Sequence, residues 1–133
     1  MNRVRRRLAC ERGDALIEGL FAFALVLLVV AVAAQALAYA HARSVAAAAA
    51  QDGARAAAAT GPEAGIARAS AILAAAGGTG ESLHASASED GDEVTVSVQG
   101  EAPRLFSLPL LLPGVQASAS LPRERYPTAE AAP

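Results

Sequence analysis

The 133-residue sequence has no lysine, no tryptophan and a single cysteine, and aromatic residues make up only 4% of it. One thiol cannot form an intrachain disulfide, so we expect any exported part of the chain to be held together by packing alone. That thiol, Cys10, follows arginines and not an apolar stretch, which excludes a lipoprotein site. Because alanine is abundant and aromatics are scarce, each buried side chain removes little area from water, and a thin core is expected.

Net positive charge is confined to the N-terminus. Residues 1–13 carry five arginines and one glutamate, a net charge of +4, whereas residues 14–133 carry six arginines and twelve acids, a net charge of −6. A nucleic-acid-binding protein would carry its basic patch on the folded domain, so we predict no nucleic-acid partner. Basic residues directly before a hydrophobic span instead favour a cytoplasmic N-terminus.

Residue combinations that indicate catalysis are also missing. The two histidines, His41 and His84, stand alone, and no nucleophile, nucleotide-binding or paired-cysteine motif occurs. The acids of the 89–93 stretch do not have the spacing of a calcium loop and are typical of a solvated hairpin tip. The sequence therefore predicts no enzyme, no cofactor, no metal site and no small-molecule substrate.

A long uncharged run dominates the N-terminal third of the chain. The 22 residues from Gly19 to Ala40 contain no charge, no proline and no internal glycine. As a helix they span roughly 33 Å, enough for a hydrocarbon core of about 30 Å. The run predicts a single transmembrane helix that anchors the chain in a lipid bilayer.

After the span, the sequence favours more helix and then strands. Residues 41–60 are mostly alanine, and a second helix is predicted from Pro62 to Ala76, with an apolar side of Ile66, Ala69, Ile72, Leu73 and Ala76. Valines alternate with polar residues in 94–98, and 115–121 alternates similarly, which indicates strands. Asp90-Gly91 predicts a hairpin turn, and the proline-containing stretch 104–113 predicts an irregular loop packed on the domain.

Glu18 follows Gly13 by five positions, at the start of the apolar span. The stretch Gly13-Asp14-Ala15-Leu16-Ile17-Glu18 resembles a type IV prepilin processing site, in which a membrane peptidase cuts after the glycine and a glutamate is fifth in the mature chain. The resemblance implies cleavage between Gly13 and Asp14 and a role for Glu18 in assembly. Major pilins usually carry an apolar residue in place of Asp14, so the resemblance favours a minor subunit.

The wider chain resembles the TadE-like family, minor pseudopilins of tight-adherence (Flp-type) pilus systems. The resemblance covers the segment 11–18, the stretch 47–58 and, more loosely, the late pattern of strand, proline-rich loop and strand. Within the second of these, Gly53, Ala54 and Arg55 form an element whose small residues let helices approach closely.

These observations together predict a pilin-like α+β fold: a long N-terminal transmembrane helix followed by a small extracytoplasmic domain of one short helix and about three antiparallel strands. The predicted segments are a cleaved basic cytoplasmic leader (1–13), a transmembrane helix (14–40), its extracytoplasmic continuation (41–60), an α+β domain (62–121) and a disordered tail (122–133). The expected location is the inner membrane, and through assembly a surface filament.

Three functional hypotheses remain open on the sequence alone. The first is a pseudopilin whose partners are the prepilin peptidase, other pilin-like subunits and the pilus assembly machinery. The second is a secreted soluble binding protein whose apolar run is a signal peptide, cleaved before His41 or Arg43, where Ala-x-Ala sites occur. The third is an uncleaved single-pass anchor for another envelope complex. The run exceeds the usual 7–15 residues of a signal-peptide core, which favours the first and third.

Overall fold

The protein is described by a computed structural model, whose backbone covers residues 2–106 and 113–123 and whose side chains cover residues 15–106 and 113–123. The elements in chain order are α1 (Asn2–Thr60), α2 (Pro62–Ala75), a short 3₁₀ helix (Gly77–Thr79), β1 (Leu83–Asp90), β2 (Glu93–Gly100) and β3 (Val115–Pro122). The predicted combination of a long N-terminal helix, a second helix and an antiparallel sheet is confirmed. Contacts divide the chain into two compact units, Met1–Ala36 and Leu37–Pro133.

The first unit consists of α1 residues up to Ala36. Every large apolar side chain from Leu16 to Val30 is exposed, by 48% to 77% of its surface. The helix has the length and apolar composition needed to cross a membrane, and a signal sequence near an N-terminus would pass the same test.

The second unit contains a three-stranded antiparallel sheet with β2 at its centre. Leu83 pairs with Gly100 and Gly100 with Val115 at one end, while Asp90 pairs with Glu93 and Glu93 with Pro122 at the other. This register places Val94, Val96 and Val98 on one face, as their alternation predicts, and all three are buried.

The β1–β2 hairpin is tighter than predicted. Asp90 and Glu93 pair directly, so the loop consists only of Gly91 and Asp92. Gly91 has φ of +62°, and no non-glycine residue in the described chain has a positive φ. A positive φ at the first central residue alone is the pattern of a type II′ turn, in which glycine takes the first position. The two-residue loop therefore lies inside the predicted 89–93 turn, at Gly91-Asp92 and not at Asp90-Gly91.

The core lies between the inner face of the sheet and two helical segments, α2 and the part of α1 within the second unit. Most of its helical contribution is alanine, because six alanines from Ala42 to Ala57 are almost fully buried. The sheet contributes the β2 valines, Leu83 and Val115. Residues 41–60, expected to extend the transmembrane helix beyond the bilayer, thus supply a large part of the core.

One boundary and one side chain differ from expectation, and two predicted segments lie at least partly outside the described residues. Pro122 belongs to β3 and the Arg123 N–H donates to the Asp92 carbonyl at 2.7 Å, so ordered chain continues two residues further than predicted. Ile66, expected on the apolar side of α2, is 36% exposed, because the buried face is centred on Gly65, Ala69 and Leu73. The middle of the predicted loop (107–112) and the remainder of the predicted tail (124–133) lie outside the described residues.

Candidate functional site

Glu18 lies on the exposed surface of α1, in the first unit, with the uncharged run beginning one residue later. A helix brings residues three and four positions away onto the same face, here Ala15, Phe21 and Ala22 among the residues with described side chains. None of these is a cation, and no described residue forms an ion pair with Glu18. A charged group inside an apolar helix is costly without a partner or access to water, and the described side chains supply no cationic partner.

The predicted processing site precedes Glu18 on the same helix. Gly13 and Asp14 both fall within the backbone range of α1, and their side chains lie outside the described residues. The chemistry expected there is hydrolysis of the peptide bond by a separate membrane peptidase.

Gly53 lies in the second unit, where α1 packs closely against α2. A Cβ atom on Gly53 would lie 3.0 Å from the Gly65 carbonyl oxygen and 3.0 Å from Cγ1 of Val96. A Cβ atom on Gly65 would lie 2.6 Å from the Ala57 Cβ and 3.2 Å from Cγ2 of Val96. The two methyl groups of Val96 therefore sit one beneath each glycine, and neither helix has room for a side chain at the crossing.

The other two residues predicted to serve helix packing differ from each other. Ala54 is fully buried in the core, whereas the Arg55 side chain is 65% exposed and forms an ion pair with Asp52 on α1. Asp52 also pairs with Arg68 of α2 at 3.5 Å. The aspartate thus bridges the two helices at the surface, and such exposed pairs contribute about 0–1 kcal/mol.

The sequence did not single out Gly65 or Arg68, the α2 residues that complete this arrangement. Gly65 has a recognisable signal, since glycine inside a helical pattern costs about 1 kcal/mol relative to alanine and indicates close packing. Arg68 has no such signal, because its pairing with Asp52 depends on how the two helices pack. The close packing of α1 against α2 at Gly53 and Gly65 was therefore identified only from the tertiary structure.

The two histidines lie in different parts of the fold. Ser70, Glu81 and His84 line an open depression of about 520 Å³ between α2 and β1. His41 is exposed on α1. Within residues 15–106 and 113–123, no group of three or more His, Cys, Asp or Glu side chains could hold a metal ion.

No protein-family model, curated protein or solved structure matches this chain. The features of the chain that bear on its function are the exposed apolar helix, Glu18 on that helix, and the small α+β unit.

Proposed function

We propose that this chain is a minor pseudopilin of the TadE-like kind, an assembly component of a tight-adherence pilus or a related secretion apparatus. Its partners would be a prepilin peptidase, other pilin-like subunits and the assembly machinery. The N-terminal helix anchors the chain in the inner membrane, and the α+β unit is extracytoplasmic. Glu18 is the residue that pairs with a neighbouring subunit.

The observation that carries this proposal is the exposed apolar surface of the first unit. Monomeric soluble proteins rarely leave a contiguous apolar patch larger than a few hundred Å² uncovered. Here every large apolar side chain of Leu16–Val30 is uncovered within the chain. Lipid, or the equivalent helices of other subunits, must cover this surface, and a pseudopilin meets both environments in turn.

The packing of the second unit weighs against the signal-peptide hypothesis. Cleavage before Arg43 would remove Ala42, which is fully buried, and Tyr39, which packs against the core. Cleavage before His41 would also remove Tyr39. A signal peptidase site would therefore cut into the domain that it releases. The anchor-only hypothesis keeps the helix intact and differs from the pseudopilin hypothesis only in the role of Glu18.

Cleavage between Gly13 and Asp14 is the first expected result. Mass spectrometry of the purified protein should give a mature chain beginning at Asp14. Replacing Gly13 by leucine should leave the full-length form, because the peptidase must accept the backbone closely at that position. A mature chain beginning at His41 or Arg43 would establish the signal-peptide hypothesis instead.

Orientation is the second expected result. The +4 leader should keep the N-terminus in the cytoplasm, so a reporter fused after Pro133 should be active only outside the cytoplasm. Replacing all five leader arginines by glutamine should weaken this orientation, since the positive residues direct it. A C-terminal reporter that works only in the cytoplasm would contradict the proposed topology.

A further inference from the structure

The second unit has two distinct ends along its sheet. Leu83, Gly100 and Val115 share one end through their pairing register, and the β1–β2 hairpin forms the other. The turn between α1 and α2 lies at the hairpin end, where Thr60, Gly61, Pro62, Glu63, Glu89 and Arg123 surround one depression. We call the end at Gly100 the proximal end and the end at the hairpin the distal end.

The direction of α1 explains these names. Thr60 lies at the distal end, and Gly53 lies against Val96 in the middle of β2. From Gly53 back to Ala42 the helix rises about 16 Å, while β2 rises about 13 Å from Val96 to Gly100. The N-terminal residues of this unit therefore lie level with the proximal end. Residues 37–40, the last four of the uncharged run, belong to this unit and lie beyond Ala42 at that end.

Among the described residues of the second unit (37–106 and 113–123), the exposed large apolar side chains are Leu37, in the uncharged run, and Ile66, Leu105 and Phe106. Leu105 and Phe106 are adjacent, 53% and 46% exposed, and follow the buried Ala102 by a few residues just beyond the proximal end of β2. We call Arg104, Leu105 and Phe106 the proximal corner.

Formal charge differs between the two ends. The distal end carries five acids against one arginine, a net charge of −4: Glu63, Glu89, Asp90, Asp92, Glu93 and Arg123. The proximal end carries two arginines and two acids and is neutral: Arg43, Arg104, Glu81 and Glu101. Arg104 pairs with Glu101 at 3.4 Å, and both side chains remain about 70% exposed. An anionic bilayer would repel the distal end and tolerate the proximal one.

We propose that the proximal corner is a second membrane contact, in which Leu105 and Phe106 enter the lipid surface and Arg104 reaches the headgroup phosphates. The inference rests on the membrane anchoring proposed above, which places the proximal end next to the bilayer. An aromatic and an aliphatic side chain beside an arginine suit the headgroup boundary, where apolar groups reach the acyl chains and a guanidinium stays hydrated. The anchored domain would then rest on the membrane in one orientation.

The absence of tryptophan from the chain makes a direct test possible. The full-length protein is reconstituted in vesicles of phosphatidylethanolamine and phosphatidylglycerol as three single-tryptophan variants: Phe106→Trp at the corner, Ile66→Trp on α2 and Phe23→Trp in the apolar helix. Fluorescence quenching is measured with chain-brominated lipids and with aqueous iodide. We expect the Phe106→Trp variant to be quenched by lipid several-fold more than the Ile66→Trp variant, and protected from iodide to a similar degree.

The other outcomes separate the two proposals. Suppose that the Phe23→Trp variant is quenched by lipid while the Phe106→Trp and Ile66→Trp variants are quenched equally by iodide. The proximal corner then does not touch the bilayer, and this inference is wrong while the membrane anchoring stands. Protection of Phe106→Trp from both quenchers would mean contact with protein, which also overturns it. If Phe23→Trp escapes lipid quenching, the anchoring itself is wrong. Adding Leu105→Asp to Phe106→Trp should abolish the lipid quenching while the circular dichroism spectrum stays unchanged.

Discussion

Replacing Glu18 by alanine is expected to abolish assembly with other pilin-like subunits while membrane insertion and cleavage after Gly13 continue. Among the described side chains the carboxylate has no ion-pair partner, and its proposed partner is the N-terminal amine that cleavage creates on a neighbouring chain. Removing a charge from an apolar span should ease insertion by on the order of 2 kcal/mol. Co-purification of partner subunits and the yield of filaments measure the loss.

Two further variants define what Glu18 contributes. Glu18→Gln keeps shape and hydrogen bonding but removes charge, so failure of assembly in this variant would show that the pairing is ionic. Moving the acid by one turn, with Glu18→Ala and Ala22→Glu together, keeps a carboxylate on the same helix face and should not restore assembly if its position sets the register between subunits. Normal co-purification and filament yield from Glu18→Ala would leave only a membrane-anchored domain.

Introducing a side chain at Gly65 should destabilise the α+β unit. The Cβ of alanine would lie 2.6 Å from the Ala57 Cβ and 2.9 Å from the Gly53 carbonyl oxygen, so the two helices must move apart. We expect Gly65→Ala to cost about 1–3 kcal/mol, and Tm to fall by roughly 5–15 °C. Alanine favours a helix over glycine by about 1 kcal/mol, so helix propensity alone would stabilise Gly65→Ala. A net loss in the free energy of unfolding would therefore come from the close approach of the two helices. Thermal unfolding of the full chain in detergent, followed by circular dichroism, measures it.

Gly78→Ala is the matched control for this substitution. A Cβ there meets nothing within 4 Å, and Gly78 is not among the glycines with positive φ. Its effect should stay within about 0.5 kcal/mol, as at other open surface positions. If Gly65→Ala were as stable as Gly78→Ala, the crossing of α1 and α2 would be looser than the distances indicate.

Local patterns were sufficient for most of the secondary structure. The uncharged run and the alanine-rich stretch after it predict one long helix, Pro62 and Gly77 bracket the second, and valine alternation in 94–98 predicts the central strand. The position of the hairpin loop could not be read from local sequence, because both Asp90-Gly91 and Gly91-Asp92 are plausible two-residue turns. Pairing of Asp90 with Glu93 decides between them, and the buried valine face selects that register.

The residues proposed to act in processing and assembly could be found from the sequence, since Gly13 and Glu18 are recognised by spacing along one chain. The helix crossing could be recognised only in part. Gly53 was identified as a small residue in a helix, but an isolated glycine does not show which surface will approach it. Gly65 and Val96, more than ten and forty residues away, define that surface only after the sheet has formed.

By itself, the sequence determined that an uncharged helix begins near Glu18, that basic charge precedes it, and that an α+β segment follows. These properties depend on residues that are neighbours along the chain, where spacing fixes helix faces and strand faces directly. Only the tertiary structure decided that six alanines between Ala42 and Ala57 are buried in the core and that Arg55 is exposed. It also decided that Leu105 and Phe106 lie at the same end of the second unit as residues 37–40. Those outcomes depend on packing between distant segments, because small side chains bury area only where a partner surface comes close enough to cover them.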